Sequence, residues 1–255
     1  MTTRRRFLTV LAGAATLPVL GAQASTNVAQ WRGIALGAEG RIILDHPDAD
    51  RLIESAVSEI RRLESIFSLY QADSQLSRLN RDGVLHEPAF EMIELLSICS
   101  GLNARTKGAF DPTVQALWSL YAEAFSSDGQ LDAGRISDAM KLTGWDHVAY
   151  SPDKISFDRK GVMLTLNGIA QGYIADRVTN IFRSNGVTNV LVNTGEIAAV
   201  GSAPNGDDWQ VRLGNETGLS VPLRNAAIAT SAPLGTTFNV GETIGHILDP
   251  RTGYP

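Results

Sequence analysis

The stretch Val162–Val178 constrains the fold of this chain most. Val162, Met163, Leu164 and Leu166 form an apolar run that enters the small-residue turn Asn167-Gly168. Ile169, Tyr173, Ile174 and Val178 then recur about one helical turn apart. The pattern predicts a strand, a tight glycine turn and a helix start in succession. At such a junction the first helical N–H groups lack an intrahelical acceptor and the helix dipole favours negative charge, so a phosphate or pyrophosphate is a fitting guest. A β-to-α connection whose glycines serve packing alone accounts for the same letters. The spacing is Gly168-x-x-x-Gly172, not the G-x-G-x-x-G of a dinucleotide fold. The chain also has no G-x-x-x-x-G-K loop, no G-x-S-x-G elbow and no Cys/His metal cluster.

The first residues form an address. Arg4-Arg5-Arg6-Phe7-Leu8 opens an apolar stretch to Leu20, followed by Ala22-Gln23-Ala24. This is the pattern of a signal peptide over residues 1–24, its arginine pair pointing to the twin-arginine route, which carries folded cargo to the periplasm. The apolar stretch is short for a membrane span, and without a cysteine there the leader offers no lipid anchor. It holds three of the 22 basic residues and none of the 27 acidic ones. The remaining 231 residues therefore carry 19 against 27, a net charge of about −8. A field of that sign does not recruit nucleic acid. The single cysteine, Cys99, lies in an apolar helical pattern and is expected to be a buried, inert thiol.

Along residues 25–255, a hairpin is expected from Trp31–Leu36 and Arg41–Leu44 around Gly37–Gly40. Apolar positions from Leu52 to Phe67 predict a long helix over 48–67, with Asp48 or Asp50 as N-cap. Residues 68–80 form a polar loop rich in hydroxyls. Helices are expected over 88–106, with Pro88 in the first turn, over 112–125 and over 134–142. Two or three short strands fill 147–166. Residues 189–201 are strand, glycine turn, strand, and 209–213 and 226–230 are further strands. A last strand ends in His246 and Asp249 before a Pro/Gly turn carrying Arg251 and Thr252.

Several residues in this frame have chemistry to offer. Tyr70 suits either stacking on a flat heteroaromatic ring or closing a helix end. Asp111, in Gly108-Ala109-Phe110-Asp111-Pro, is placed either to cap the next helix or to accept from a ligand's hydroxyls or ring nitrogens. The hydroxyls of Thr230 and Ser231 are suited to a phosphate or to their own turn. His246 is the candidate base, the alternative being a structural strand-end histidine.

Taken together, Ser68-Leu-Tyr70, Asp73–Asn80, Gly108–Thr113, Leu166–Tyr173 with Asp176, Leu191–Gly195, Ala229–Ser231 and His246–Gly253 resemble the ApbE family of FAD:protein FMN transferases. The blocks run in family order from about residue 31 to the chain's end, and the leader is similar to that of the NosX-like branch serving nitrous oxide respiration. The resemblance implies an α+β fold of two interleaved lobes in one domain over 25–255: a helical lobe over about 48–142, a mixed or antiparallel sheet from both ends, and a flavin cleft between. It implies that FAD is split at its pyrophosphate and that FMN passes to a Ser/Thr hydroxyl of a periplasmic or membrane-bound flavoprotein acceptor, releasing AMP. Mg²⁺ would neutralise the phosphates. By the same resemblance Tyr70, Ala109, Phe110, Asp111, Thr165, Gln171 and Ile247 contact FAD, and the Gly168 carbonyl ligates the metal.

Two departures bear on this. Thr165 and Gln171 stand where the family has a carboxylate and a lysine, losing the charge-assisted part of each contact, about 1 kcal/mol or more. The family's Mg²⁺-binding Asp and Thr side chains belong to a segment after Asp-Pro-Arg-Thr-Gly, past Pro255. Neither Asp249 nor Asp111 is expected to replace them, and the core is expected to be less stable without that cover. Three activities follow: the transferase, a non-catalytic FAD-binding maturation factor, and an FAD pyrophosphatase in which water replaces the acceptor.

Overall fold

Strands β1 (Val28–Ala35) and β2 (Ala38–Asp45) pair antiparallel along their full length. The turn between them is Leu36-Gly37, with φ of 47° and 80°, tighter than the four-residue turn expected over Gly37–Gly40. Two successive residues at positive φ match the right-handed strand twist. The computed structural model describes residues 28–127, 131–213, 219–239, 241 and 243–255. The expected leader, residues 1–24, lies outside them. No helix among the described residues is long and apolar enough to cross a membrane.

The remaining elements in chain order are α1 (Ala49–Phe67), α2 (Gln75–Asp82), β3 (Val84–His86), α3 (Phe90–Thr106), α4 (Gln115–Ser126), α5 (Ala133–Met140), β4 (Val148–Tyr150), β5 (Lys154–Phe157) and α6 (Ala170–Ser184). They are followed by β6 (Val190–Asn193), β7 (Ile197–Val200), β8 (Trp209–Arg212), β9 (Ser220–Leu223) and β10 (Ala226–Ile228). Every strand pair described is antiparallel, and the fold is α+β. The chain divides into two compact units, each built from separated stretches of sequence.

The first unit comprises the described residues up to Leu63 and Gln171–Thr230. Its five-stranded sheet has the order β1-β2-β6-β7-β10, with Ile43 opposite Leu191 and Ile42 opposite Val192. Ile43, Leu191, Ile197 and Ala199 cluster with Trp209, Val211 and Leu223 of the β8–β9 pair. The alternate residues Ile42, Leu44, Val190, Val192 and Val200 are buried as well, so both faces of the sheet are covered. The apolar stripe of α1 is buried through Leu52, Ala56, Ile60 and Leu63, as its 3.6-residue period predicts.

The second unit comprises Glu64–Ala170 and Ser231–Pro255. It holds α2 to α5 and a three-stranded sheet, β3-β5-β4. Leu117 and Tyr121 of α4, Ile136 of α5, Phe238 and Leu248 form its aromatic-rich core. The Tyr121 and Phe238 rings lie 5.3 Å apart and Trp118 meets Phe238 edge-on at 5.5 Å.

This corrects the expected partition. Residues 231–255 join the helical unit because Phe238 and Leu248 are buried there, while α1 up to Leu63 belongs with the sheet. Part of the expected loop 68–80 is helix: Ser74 caps α2 by accepting the Ser77 N–H at 3.0 Å. The helix expected from Pro88 starts at Phe90, and the one expected from Pro112 opens as a 3₁₀ turn over Pro112–Val114. Residues 162–166 form no strand; the Leu164 N–H and C=O bond the Asn80 side chain and the Thr165 N–H a loop carbonyl instead. The expected last strand is reduced to one bridge, Thr237 to Gly245.

Candidate functional site

The loop carrying Tyr70 is fixed by serines. The Ser68 carbonyl accepts from Ser74 Oγ at 2.5 Å and Ser77 Oγ at 3.1 Å, and Ser68 Oγ accepts the Tyr70 N–H at 3.0 Å. Ser68 and Ser74 are buried while Tyr70 is 55% exposed, so a rigid base presents an uncovered ring. The hydroxyls of this loop thus hold the scaffold. The Tyr70 hydroxyl accepts from Asn167 Nδ2 at 3.5 Å.

The turn that Tyr70 touches is anchored from two directions. Asn80 Oδ1 accepts the Leu164 N–H at 2.7 Å and its Nδ2 donates to the Leu164 carbonyl at 2.8 Å. The Thr165 N–H donates to the Pro112 carbonyl at 2.8 Å. Asn167 N–H donates to Thr165 Oγ1 at 3.3 Å. Helix α6 follows, the Ala170 N–H reaching the Leu166 carbonyl at 2.8 Å. A methyl group placed on Gly168 would meet only Phe110 Cε2, at 3.9 Å, and one on Gly172 would meet nothing within 4 Å. Packing within the chain therefore does not demand glycine at either position, and the exposed Gly168 leaves room for close approach from outside.

Residues 108–113 line up beside this turn. Asn103 Nδ2 donates to the Phe110 carbonyl at 2.9 Å and to Asp111 Oδ2 at 3.2 Å. Asp111 Oδ1 accepts the Thr113 N–H at 2.9 Å and its hydroxyl at 2.6 Å. Asp111 is buried and caps the 3₁₀ turn, as one of its two expected roles required. Ala109 is exposed and Phe110 half-buried. Asp111 and burial act together on Cys99 of α3: burial first, then the carboxylate's charge, pushes the thiol up to about 12. Cys99 is an inert core residue.

In the C-terminal segment of this unit, His246 is half-buried with Nδ1 at 2.9 Å from the Thr236 carbonyl. A carbonyl only accepts, so Nδ1 carries the hydrogen and Nε2 is the nitrogen able to take a proton. Ile247 beside it is 44% exposed. Arg251 clasps Asp249 through Nε at 2.9 Å and Nη2 at 2.7 Å. These bonds and that of the Arg251 N–H hold the Asp249 carboxyl at about 2.

Gln171 lies in the first unit. Its carbonyl accepts from the buried Thr194 hydroxyl at 3.0 Å. Gly195, at φ 102°, lies flat against its side-chain amide, where any Cβ would collide with it. In the same unit Glu196 Oε2 accepts the Thr230 N–H at 3.1 Å. Thr230 thus commits its backbone donor to a carboxylate rather than to a phosphate. Burial pushes the Glu196 carboxyl above its ordinary range, the Thr230 bond opposing it.

The candidates thus divide. Tyr70, Phe110, Thr165 and Gly168 are linked through one turn, His246 and Ile247 occupy another loop of that unit, and Gln171 has a separate setting. The supporting amides Asn80 and Asn103 escaped sequence reasoning, since the partner of Asn80 is 84 residues away. No group of three or more His, Cys, Asp or Glu side chains able to hold a metal occurs among the described residues. With Asp111 turned inward and Asp249 clasped by Arg251, the donors described do not make an oxygen cage for Mg²⁺.

A family model described as the ApbE family matches residues 25–255. A FAD:protein FMN transferase of Vibrio cholerae serotype O1 is 28% identical over 259 residues, covering 93% of this chain and 71% of the relative. One of Haemophilus influenzae is 26% identical, with 96% and 78% covered. Among solved structures, the apo flavinyl transferase ApbE of Pseudomonas stutzeri superposes with a TM-score of 0.77 at 28% identity, over 90% of this chain and 76% of that one. The ApbE protein of Thermotoga maritima superposes at 0.78 with 26% identity, over 90% and 78%.

Proposed function

The chain belongs to the ApbE family, and on that premise we propose that it is an FAD:protein FMN transferase. The acceptor's Ser/Thr oxygen forms a bond to the FMN phosphorus, the bond from that phosphorus to the AMP oxygen breaks, and the hydroxyl proton passes to a base. The observation that carries this reading is the junction of Tyr70, Phe110 and Gly168. An exposed aromatic ring on a rigid base, a second ring and an unobstructed glycine surround one turn at the start of α6. Rings suit an isoalloxazine or adenine, and the open face of the exposed Gly168 leaves room for a phosphate to approach the backbone. Thr165, with Ala109 and Ile247, completes the contacts of the reading within this unit, and His246 Nε2 is its proton acceptor.

Mg²⁺ belongs to the reading as the ion that would offset phosphate charge. The Gly168 carbonyl is the ligand that the family resemblance assigns to it. Thr165 and Gln171, uncharged where the family has a carboxylate and a lysine, favour a second reading, a maturation factor that binds FAD without turning it over. Export to the periplasm by the twin-arginine route is proposed on Arg4-Arg5 and Ala22-Gln23-Ala24, and a flavoprotein acceptor there goes with it.

The test is to incubate the purified chain with FAD and Mg²⁺, with and without a periplasmic flavoprotein domain, following acceptor mass and released nucleotide. Acceptor gaining FMN with AMP released, both abolished by EDTA, is the expected result. FAD bound but unchanged selects the maturation factor, and free FMN without acceptor selects a pyrophosphatase.

A further inference from the structure

We propose that Asn80 is a positioning residue for this reaction: its carboxamide fixes the Thr165–Gly168 turn, and through that turn the place of the bound dinucleotide. The inference rests on the reading of that turn as an FAD contact.

The segment leading into the turn belongs to no sheet, yet Val162, Leu164 and Leu166 are each at most 1% exposed. Its backbone groups are thus removed from water without a strand neighbour to satisfy them. For Leu164 one side chain does both jobs. Asn80 accepts its N–H at 2.7 Å and donates to its carbonyl at 2.8 Å, as a neighbouring strand would. No other residue of similar size does this: Asp lacks the donor, Leu lacks both groups, and Gln is a methylene longer.

Asn80 also sits where its hold reaches furthest. It lies in the last turn of α2, whose N-cap Ser74 bonds the Ser68 carbonyl beneath Tyr70. One eight-residue helix thus ties the Tyr70 loop at its start and the Gly168 turn near its end. The bond from Thr165 N–H to the Pro112 carbonyl holds the segment on its other side, and it leaves Leu164 to Asn80. Without the carboxamide, a buried N–H and C=O are orphaned together. The segment relieves this by shifting toward water, which carries Thr165 and Gly168 with it.

The experiment measures FAD affinity by quenching of flavin fluorescence, and KM for FAD and for the acceptor domain, on the parent chain, Asn80→Ala and a control, Tyr121→Phe. The control loses one buried hydrogen bond elsewhere in the same unit. Asn80→Ala is expected to raise both Kd and KM for FAD about tenfold or more, with the acceptor KM unchanged, while Tyr121→Phe leaves all three as in the parent. A mere loss of folded fraction lowers apparent kcat and leaves KM alone. Should Asn80→Ala not fold, Asn80→Asp keeps the acceptor for the Leu164 N–H, and a smaller rise in Kd is expected. FAD affinity unchanged in the folded variant, or shifted equally in the control, overturns the proposal. A parent chain that binds no FAD overturns instead the reading it rests on.

Discussion

The hydroxyl of Tyr121 donates to the carbonyl of Gly253 at 2.9 Å, joining the middle of α4 to the turn near the chain's end. Tyr121 is 2% exposed, so neither group has water to fall back on. Tyr121→Phe keeps the ring against Phe238 and removes only the donor. It is expected to lower stability by about 1–3 kcal/mol, read as an earlier midpoint in urea with the slope unchanged. Gly253→Ala is expected to be worse. It sits at φ 80°, and a Cβ there lies 2.7 Å from Ile136 Cγ2 and 3.0 Å from Met140 Sδ. A midpoint unmoved in Tyr121→Phe would show that water replaces the hydroxyl.

What the sequence discloses here follows from how local each signal is. The α1 stripe, the Asp111 cap and the burial of Cys99 depend on neighbours within a turn or two, and they are legible as periodicity and composition. Val162–Leu166 has a strand's alternation, yet the partner that satisfies Leu164 is the side chain of Asn80, which no local pattern reveals. The assignment of 231–255 to the helical unit depends likewise on Phe238 and Leu248 meeting α4, a contact across more than a hundred residues. Helix α2 was hidden because Ser74 and Ser77 signal loop and cap alike. At the site, exposed Tyr70 and Gly168 were legible as letters. The amides holding them became visible only in three dimensions.

Tyr70 offers a test of binding separable from folding. Its ring is more than half exposed and its loop is secured by Ser68, Ser74 and Ser77. Tyr70→Ala is therefore expected to leave the thermal midpoint within about a degree and to weaken FAD binding about tenfold, by loss of stacking. Tyr70→Phe keeps the ring and removes only the 3.5 Å contact from Asn167. It is expected to bind nearly as the parent does. Equal losses in both variants would transfer the role from the ring to the hydroxyl.

Cys99 is expected to report on opening of the second unit. Its side chain is fully buried and its thiol is pushed up to about 12, so both access and thiolate fraction are low at pH 8. Ellman's reagent should leave the native chain unmodified over hours and label one thiol at once in urea. Rapid labelling without denaturant would mean that α3 opens far more readily than its burial implies.

Glu196 makes a prediction whose sign is fixed by linkage. Burial raises its carboxyl above the ordinary value of 4.5, against the Thr230 N–H bond that favours the anion. The native state then holds this proton more tightly than the unfolded chain does. As pH rises from about 4.5 through the raised native value, the unfolded state loses its proton first, and stability falls across that window and stays lower at neutrality. Glu196→Gln keeps an acceptor for Thr230 and removes the charge. The variant is expected to match the parent at pH 4 and to exceed it at pH 7, by no more than about 1 kcal/mol because the group is only half-buried. Urea melts at the two pH values measure the difference directly. A variant less stable than the parent at pH 7 would mean that the ionised carboxylate gains more from Thr230 than it loses by leaving water.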